Sequence, residues 1–262
     1  MSAQPEGHAL YYSDALIANL QLRWGDGFMS PGGEPELARM LRGVEVGDRV
    51  GLDFGCGIGG YDALLVEEHG ARKVVGVDLD AATIRAARDL AGAKGLADRL
   101  EFLKVAPGPL PFEAESFDFV FSKDAIVDLT EKPPVFRDLF RVAKPGGRII
   151  VGDWFRGAEP MTPEMRKWAT TGEETYDMDT LQSAARYLSE AGFVDLDLDD
   201  RNRWFKEFAA AEYERLKGPL YPVYVERFGP EQAKSSVENA RIRALLAAQG
   251  QLRPGHVRGR KP

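Results

Sequence analysis

The sequence predicts an α/β fold in which a largely parallel sheet is covered by helices on both faces. Between residues 48 and 153, short β-branched apolar runs alternate with segments of helical periodicity. This alternation is typical of parallel strands joined by crossover helices. A glycine-rich stretch, DFGCGIGG at 53–60, joins the first apolar run to the first helical segment. These two observations predict a parallel sheet in the central part of the chain, with a glycine-rich turn after its first strand.

The individual elements follow from the same pattern. Five strands are expected, at Arg49–Phe54, Lys73–Leu79, Leu100–Val105, Phe117–Ser122 and Arg148–Asp153. The helices between them are expected at Gly60–His69, Ala81–Lys94 and Lys132–Val142. The pair Gly146–Gly147 is predicted to form a turn before the fifth strand, because it follows Lys144–Pro145.

The two flanking regions are expected to be mainly helical. Residues 8–43 carry aromatic and apolar residues at helical spacing and a glycine-rich hinge, GDGFMSPGG at 25–33. After Trp154 we expect a helical segment and then, in order, a helix at Asp179–Ala191, a strand at Phe193–Leu198, a helical insertion at 201–250 and a last strand at His256–Arg260.

Composition narrows the class of function. The formal net charge is −7, and Lys and Arg are scattered except in the tail RGRKP, which disfavours a nucleic-acid partner. No apolar run is long enough to cross a bilayer. The start has no basic segment before an apolar one, and the lone Cys56 fits a reducing compartment, so a cytoplasmic location is expected. Three histidines and one cysteine show no metal-ligand spacing, and no metal is expected.

The glycine-rich turn carries an acid before its glycines, in the order D-x-G-x-G-x-G. A dinucleotide site would instead show G-x-G-x-x-G with its acid about 20 residues later. A pyrophosphate avoids a nearby anion, whereas an ammonium or sulfonium group suits a carboxylate such as that of Asp53. Asp78 ends the second strand, where an ionised carboxylate can accept hydrogen bonds from ribose hydroxyls.

Three segments together resemble the class I S-adenosylmethionine-dependent methyltransferases: VGLDFGCGIGG at 50–60, Val74–Asp80 and RVAKPGG at 141–147. The resemblance implies a Rossmann-like sheet that binds S-adenosylmethionine and yields S-adenosylhomocysteine. Ala106 stands where many family members carry an acid that meets the adenine amine. The cofactor-binding residues that the resemblance implies are Ser30, Asp53, Gly55, Gly57, Gly59, Asp78, Leu79, Ala106 and Ser122.

The segment SKDAIVDL at 122–129, together with the N-terminal YYSD at 11–14 and the hinge, is similar to the phosphoethanolamine and other small-amine N-methyltransferases. By this resemblance Tyr12 and Asp124 are catalytic, with Asp124 holding the amine. Asp128 occupies the place of the family's histidine and is the third catalytic candidate. The candidate substrate-binding residues are Tyr11, Trp154, Glu173 and Tyr176.

The sequence thus predicts three parts: an N-terminal helical lid (1–44), a cofactor-binding core (45–200), and a C-terminal helical insertion with the final strand (201–262). The expected function is methyl transfer to a small-molecule acceptor, an amine nitrogen above all, by a monomer or homodimer. Two alternatives stay open. One is O- or C-methylation of a natural-product scaffold, and the other is a non-catalytic S-adenosylmethionine-binding protein.

Overall fold

The computed structural model describes residues 12–157, 159–170 and 178–262. Three candidate substrate-binding residues, Tyr11, Glu173 and Tyr176, therefore lie outside the described residues. The chain forms two compact units, Met1–Phe112 and Glu113–Pro262. The three-part division remains a prediction.

The first unit carries the glycine-rich turn. Its elements, in chain order, are α1 (Asp14–Trp24), α2 (Gly33–Met40), β1 (Val50–Phe54), α3 (Gly60–Glu67), β2 (Lys73–Asp78), α4 (Ala81–Ala93) and β3 (Leu100–Lys104). The strand order is β3–β2–β1, and both pairs are parallel, with Leu52 opposite Val75 and Val75 opposite Glu101. Because β1 and β2 are parallel, the turn after β1 and the end of β2 both lie at the carboxyl ends of the strands.

The second unit contains the remaining elements. They are β4 (Phe117–Lys123), a short 3₁₀ helix (Ile126–Asp128), α5 (Lys132–Val142), β5 (Ala143–Asp153), α6 (Pro163–Ala169), α7 (Leu181–Ala191), β6 (Val194–Asp200), α8 (Asn202–Lys217), α9 (Tyr221–Phe228), α10 (Pro230–Ala248) and β7 (Gly255–Arg260). The order is β4–β5–β7–β6, in which β4 and β5 are parallel and the β7 pairs are antiparallel. The expected last strand is thus confirmed, and it lies inside the sheet.

One expectation about the fifth strand differs in position. β5 already begins at Ala143, so Gly146–Gly147 lies within the strand and not ahead of it. The ladder is interrupted there, because β5 advances five residues from Ala143 to Arg148 while β4 advances two, and a Cβ on Gly147 would lie 2.7 Å from the carbonyl oxygen of Lys144. Gly146 donates its N–H to the carbonyl oxygen of Lys261 at 2.9 Å, and Lys261 donates back to Gly147 at 2.9 Å. Pairing with the chain beyond β7 therefore keeps the glycines in the sheet, with Gly146 at a φ of 77°.

The long helical insertion predicted for 201–250 is present as three helices, α8 to α10. Breaks fall at Gly218 and Gly229, and each glycine is followed by a proline, which lacks the N–H that a continuing helix needs. Among the described residues, no helix combines the length and the apolar composition needed to cross a membrane.

Candidate active site

The glycine-rich turn between β1 and α3 has a backbone that only glycine adopts without strain. Gly55, Gly57 and Gly59 have φ angles of 79°, 53° and 81°, in the left-handed region that a Cβ atom disfavours. The N–H groups of Gly55 and Cys56 both bond to the carbonyl oxygen of Val77, at 2.8 and 3.0 Å. The turn is therefore held against the end of β2.

Two of the glycines also permit close packing within the protein itself. A Cβ atom on Gly60 would lie 2.0 Å from the carbonyl oxygen of Gly27, and one on Gly59 would lie 2.7 Å from the ring of Phe102. Close packing inside the protein, including the approach of the 25–33 hinge, is therefore one cause of the density of glycine, and it was not foreseen from the sequence. The approach of a ligand, which the sequence predicted, stays a prediction.

The hinge at 25–33 packs on the start of α3. Tyr61 donates its hydroxyl to the carbonyl oxygen of Pro31 at 3.2 Å, and its ring meets Phe28 edge to face at 5.1 Å. Ser30, a candidate cofactor residue, is half-buried in this segment. Its neighbour Met29 brings its sulfur within 3.3 Å of the position that a Cβ on Gly57 would take. The hinge and the glycine-rich turn are therefore neighbours.

Asp78, at the end of β2, connects the turn to α4. Its Oδ2 accepts the N–H of Gly57 at 2.9 Å, and its Oδ1 accepts the N–H of Asp80 at 3.0 Å. Burial raises the pKa of Asp78, although these two hydrogen bonds act in the opposite direction. A carboxylate offers about four lone-pair sites, so Asp78 keeps capacity to accept hydrogen bonds from a ligand.

Beside Asp78, Leu79 presents an apolar side chain to solvent, with 41% of the residue exposed. Ala106, which follows β3, is also exposed, and the preceding Val105 donates its N–H to the carbonyl oxygen of Asp78 at 2.9 Å. An apolar surface therefore lies next to the acid that ends β2. It can pack against a flat base without a charged partner at position 106.

Asp53 and a second acid, Asp62, form a buried carboxyl pair in the first unit. Asp53 is 2% exposed and Asp62 is fully buried. Among the described residues, one oxygen of Asp53 and both oxygens of Asp62 are buried with no donor in hydrogen-bonding geometry. The two carboxyl groups still act on each other, and this interaction raises the pKa of Asp53 and lowers that of Asp62. Burial, and then the charge of Asp62, raises the pKa of Asp53 well above its ordinary value, and burial raises the pKa of Asp62 to about 7.

The sequence interpretation missed Asp62. The available signal was an acid in the first turn of a helix whose remaining residues are almost all apolar, GYDALLVE. The neighbouring Cys56 is also buried, and burial followed by the charge of Asp62 raises the pKa of its thiol. A thiol so disfavoured as a thiolate is a poor nucleophile.

Tyr12 and the start of α1 lie in the first unit as well. Tyr12 is half-buried, and the next residue, Ser13, caps α1 by accepting the N–H of Leu16 at 3.2 Å. Asp14 pairs with Arg85 at 3.0 Å, which links α1 to α4. Both side chains of that pair are well exposed, so its contribution to stability is small.

In the second unit, the end of β4 carries the candidate acceptor residues. Ser122 is completely buried, and Lys123 forms an ion pair with Asp124, both side chains being more than nine-tenths buried. Asp124 has a φ of 54°, and its N–H bonds to the carbonyl oxygen of Gly152 at 2.8 Å. A non-glycine residue in this conformation is uncommon and marks a position to examine for function.

A further acid, Asp153, lies with Asp124 and Asp128 in this unit and was not foreseen. It ends β5, is 3% exposed, and accepts the N–H groups of Val127 at 3.0 Å and Trp154 at 2.7 Å. Burial raises its pKa well above the ordinary value; Asp124 and Asp128 add to the rise, and Lys123 opposes it. Asp153 thereby fixes the 3₁₀ helix that carries Asp128.

Trp154 joins these acids to an apolar cluster. Its ring meets Phe205 edge to face at 4.9 Å. It also lines a small, mostly apolar cavity together with Asp153, Lys132 and Tyr187. Other partly buried side chains on this aromatic and methionine-rich cluster are Met161, Trp168, Trp204 and Phe208. Within the described ranges, no group of three or more His, Cys, Asp or Glu is arranged to hold a metal ion.

Comparison with known proteins agrees with these features. A family model described as a methyltransferase domain matches residues 52–151. Phosphoethanolamine N-methyltransferase 1 of Arabidopsis thaliana is 32% identical over 208 residues, which are 79% of this chain and 41% of that protein. Erythromycin 3''-O-methyltransferase of Saccharopolyspora erythraea is 31% identical over 215 residues, which are 77% of this chain and 70% of that protein.

A solved structure shows the same fold. Phosphoethanolamine N-methyltransferase 2 of Haemonchus contortus, in complex with phosphomonomethylethanolamine and S-adenosylhomocysteine, superposes with a TM-score of 0.87. The match covers 96% of this chain and 58% of that chain at 24% identity. The chain thus spans less than half of the Arabidopsis protein and less than two thirds of the Haemonchus one.

The residues fit the cofactor of this family. The positive-φ turn would bring main chain rather than side chains to a ligand, and Asp78 could accept further hydrogen bonds. In the described part of the chain, one oxygen of Asp53 has no hydrogen-bond partner. The predicted fold class and the predicted family, with its cofactor, are confirmed by the comparisons. The chain belongs to the class I S-adenosylmethionine-dependent methyltransferases.

Proposed function

We propose that this protein transfers a methyl group from S-adenosylmethionine to a small amine nitrogen. The observation that carries the choice of acceptor is the group of three buried or half-buried carboxyl groups Asp124, Asp128 and Asp153. Asp124 pairs with Lys123, and the charges of Asp124 and Asp128 add to the burial that raises the pKa of Asp153. Such an excess of acid is costly without a further cation or proton. A cationic acceptor would supply that charge.

The roles of the residues follow from their chemistry. When bound, S-adenosylmethionine supplies an electrophilic methyl group on its sulfonium. Asp78 would accept hydrogen bonds from the ribose hydroxyls, and Asp53 would favour the positive charge of the methionine part. Asp124 would hold the acceptor by accepting its N–H bonds. Positioning of this kind supplies a large share of the acceleration in a displacement reaction.

The amine attacks only after it has lost its proton. Asp128, in the place of the family's histidine, would favour the protonated amine on arrival and take up or pass on the proton. Tyr12 is the other proposed participant in that step. Asp153 is held by two backbone N–H groups, so we assign it the support of the 3₁₀ helix rather than a proton transfer.

Phosphoethanolamine is not the acceptor that we favour. The relatives that act on it by name span more than this chain, and the segment 171–177 carries Glu173 and Glu174, whose charges would repel a phosphate. That segment lies outside the described residues. A free amine or an amino acid suits the acidic group of the second unit better.

O-methylation of a larger scaffold is the second candidate. It is favoured by the aromatic and methionine-rich cluster around Trp154, Trp168 and Trp204, which offers partly buried apolar surface to a bulky acceptor. The relative from Saccharopolyspora erythraea is an O-methyltransferase by name. Cation–π attraction would let the same aromatic side chains hold a methylated ammonium group instead.

A by-product assay tests the proposal. Purified protein is incubated with S-adenosylmethionine and, separately, with small amines, amino acids, phosphoethanolamine and phenols, and S-adenosylhomocysteine is measured. Turnover with a free amine or amino acid is expected. Turnover with phenols alone would favour the second candidate. Cofactor binding with no turnover on any acceptor would contradict both and leave a non-catalytic binding protein.

A further inference from the structure

The carboxyl pair Asp53–Asp62 lacks the donors that a buried carboxylate needs. Asp53 comes from β1 and Asp62 from the first turn of α3, on either side of the glycine-rich turn. Both are at least 98% buried, and three of their four oxygens have no donor in hydrogen-bonding geometry within the described ranges. Two bare carboxylates in such a place would repel each other and lose their hydration, at a cost of several kcal/mol.

In the part of the chain that the structure describes, the main influences on the pKa values of the pair are burial and neighbouring acids, with no cation among them. The charge of Asp78 raises the pKa of both members. Burial, and then Asp62 and Asp53 in turn, raise the pKa of the Cys56 thiol, which therefore stays protonated. Two arrangements relieve such a pair: one carboxyl keeps its proton and donates it to the other, or a cation arrives from a ligand.

We propose that Asp53 and Asp62 share one proton in the cofactor-free protein and release it when a cation of the cofactor's methionine part takes its place. The proton passes to solvent and no covalent bond changes. Asp62 is then a positioning residue, because it acts on the ligand through the state of Asp53. This inference rests on the proposed function, since it requires that S-adenosylmethionine binds.

Proton release makes cofactor binding depend on pH in a defined direction. If binding expels one proton, the affinity for S-adenosylmethionine rises with pH, by at most about tenfold per pH unit, while the pair is protonated. The rise ends once the pair has lost that proton in the free protein. A protein whose pair is already ionised would show no such slope.

Calorimetry of cofactor binding in two buffers of different ionisation enthalpy measures the proton directly. Close to one proton per S-adenosylmethionine is expected at pH 6.5. S-adenosylhomocysteine keeps the ammonium and lacks the sulfonium. Release with both ligands assigns the ammonium as the displacing cation, and release with S-adenosylmethionine alone assigns the sulfonium. Release with neither, while heat is observed, overturns the inference.

The variant Asp62→Asn identifies the source of the proton. The amide keeps the shape and can donate to an ionised Asp53, so the variant should bind the cofactor with a heat that no longer depends on the buffer. Asp89→Asn, at an exposed acid of α4, is the matched control and should release the proton as the wild type does. Undiminished release from Asp62→Asn would overturn the inference.

Two further outcomes separate the inference from the function. Absence of heat with both ligands in every buffer would mean that the proposed function has failed. If Asp62→Asn does not fold, the wild-type affinity measured from pH 5.5 to 8.5 decides, because a flat profile with intact binding contradicts the shared proton. A merely structural role for Asp62 would weaken binding without changing its dependence on buffer or pH.

Discussion

Gly57 donates its backbone N–H to Oδ2 of Asp78 at 2.9 Å, so the acid assigned to the ribose also fixes the turn assigned to the methionine. The second oxygen of Asp78 holds the N–H of Asp80, whose own carboxylate caps α4 through the N–H groups of Ala82 and Thr83. A single side chain therefore connects the turn after β1 to the helix after β2. Loss of Asp78 disturbs the cofactor site in two ways.

Replacement of Asp78 by Ala is expected to weaken S-adenosylmethionine binding by at least about a hundredfold. Two hydrogen bonds from ribose to a charged acceptor contribute about 1.5 kcal/mol or more each, and the turn loses its hold on Gly57 as well. Calorimetric titration measures the loss. The exposed Asp98→Ala is the control and should bind as the wild type does. Equal affinities for the two variants would remove Asp78 from the site.

Gly60 is predicted to tolerate no side chain, although it lies at the start of a helix. A Cβ there would lie 2.0 Å from the carbonyl oxygen of Gly27, a backbone atom that cannot rotate away. Gly60→Ala should therefore lower the melting temperature and displace the 25–33 hinge. Gly92→Ala in α4 is the control, because its Cβ meets nothing within 4 Å, and a better helix former there should stabilise by up to about 1 kcal/mol. Equal melting temperatures would contradict the close packing.

Much of the fold could be predicted because periodicity and glycine are local signals. The strands and helices between 48 and 142 lie within two residues of their expected ends, and the turn after β1 stands where its glycines indicated. The start of β5 could not be predicted, because it depends on hydrogen bonds with Lys261, which is more than a hundred residues away in sequence. Local sequence alone predicts that Gly146 and Gly147 precede the strand, but their hydrogen bonds with Lys261 include them in it.

The site was predictable only where a motif spans several residues. Asp53, Asp78 and Asp124 belong to such motifs and were proposed from them, and their roles stay predictions. Asp62 and Asp153 were not, because a single acid in an apolar segment has the same local signature whether it is exposed or buried. What distinguishes them appears only in the tertiary structure, where both are almost completely buried beside other acids. Burial of this kind is set by the packing of distant elements.

Asp124→Asn is expected to separate acceptor binding from cofactor binding. Asn is the replacement of choice, because Asp124 has a φ of 54° and Asn tolerates that conformation better than Ala does. Loss of the charged hydrogen bond to the amine should lower kcat/KM by about 10- to 100-fold, with the affinity for S-adenosylmethionine unchanged. Asp195→Asn is the matched control, since Asp195 is exposed and has the same φ. Unchanged turnover in Asp124→Asn would refute its role.

The pH profile of turnover tests the nature of the nucleophile. A protonated amine has no lone pair to attack with, so kcat/KM should rise with pH, by about tenfold per unit, until the acceptor's own pKa is passed. The rate is measured with saturating cofactor, so that proton release on cofactor binding does not contribute. A flat profile between about pH 6 and 9 would point to an oxygen or carbon acceptor.

Asp62 should make the folded protein less stable as the pH rises. Its pKa is near 3.8 in the unfolded chain and about 7 in the folded protein, so the folded state binds the extra proton in the window between these values. Stability that is present below about pH 4 is therefore lost progressively as the pH rises toward 7. Asp62→Asn lacks this carboxyl, and of the pair only Asp53 can still titrate. Relative to the wild type, its melting temperature should rise by several degrees between pH 5 and pH 8. A difference between the two proteins that stays constant over this range would show that the buried carboxyl does not titrate there.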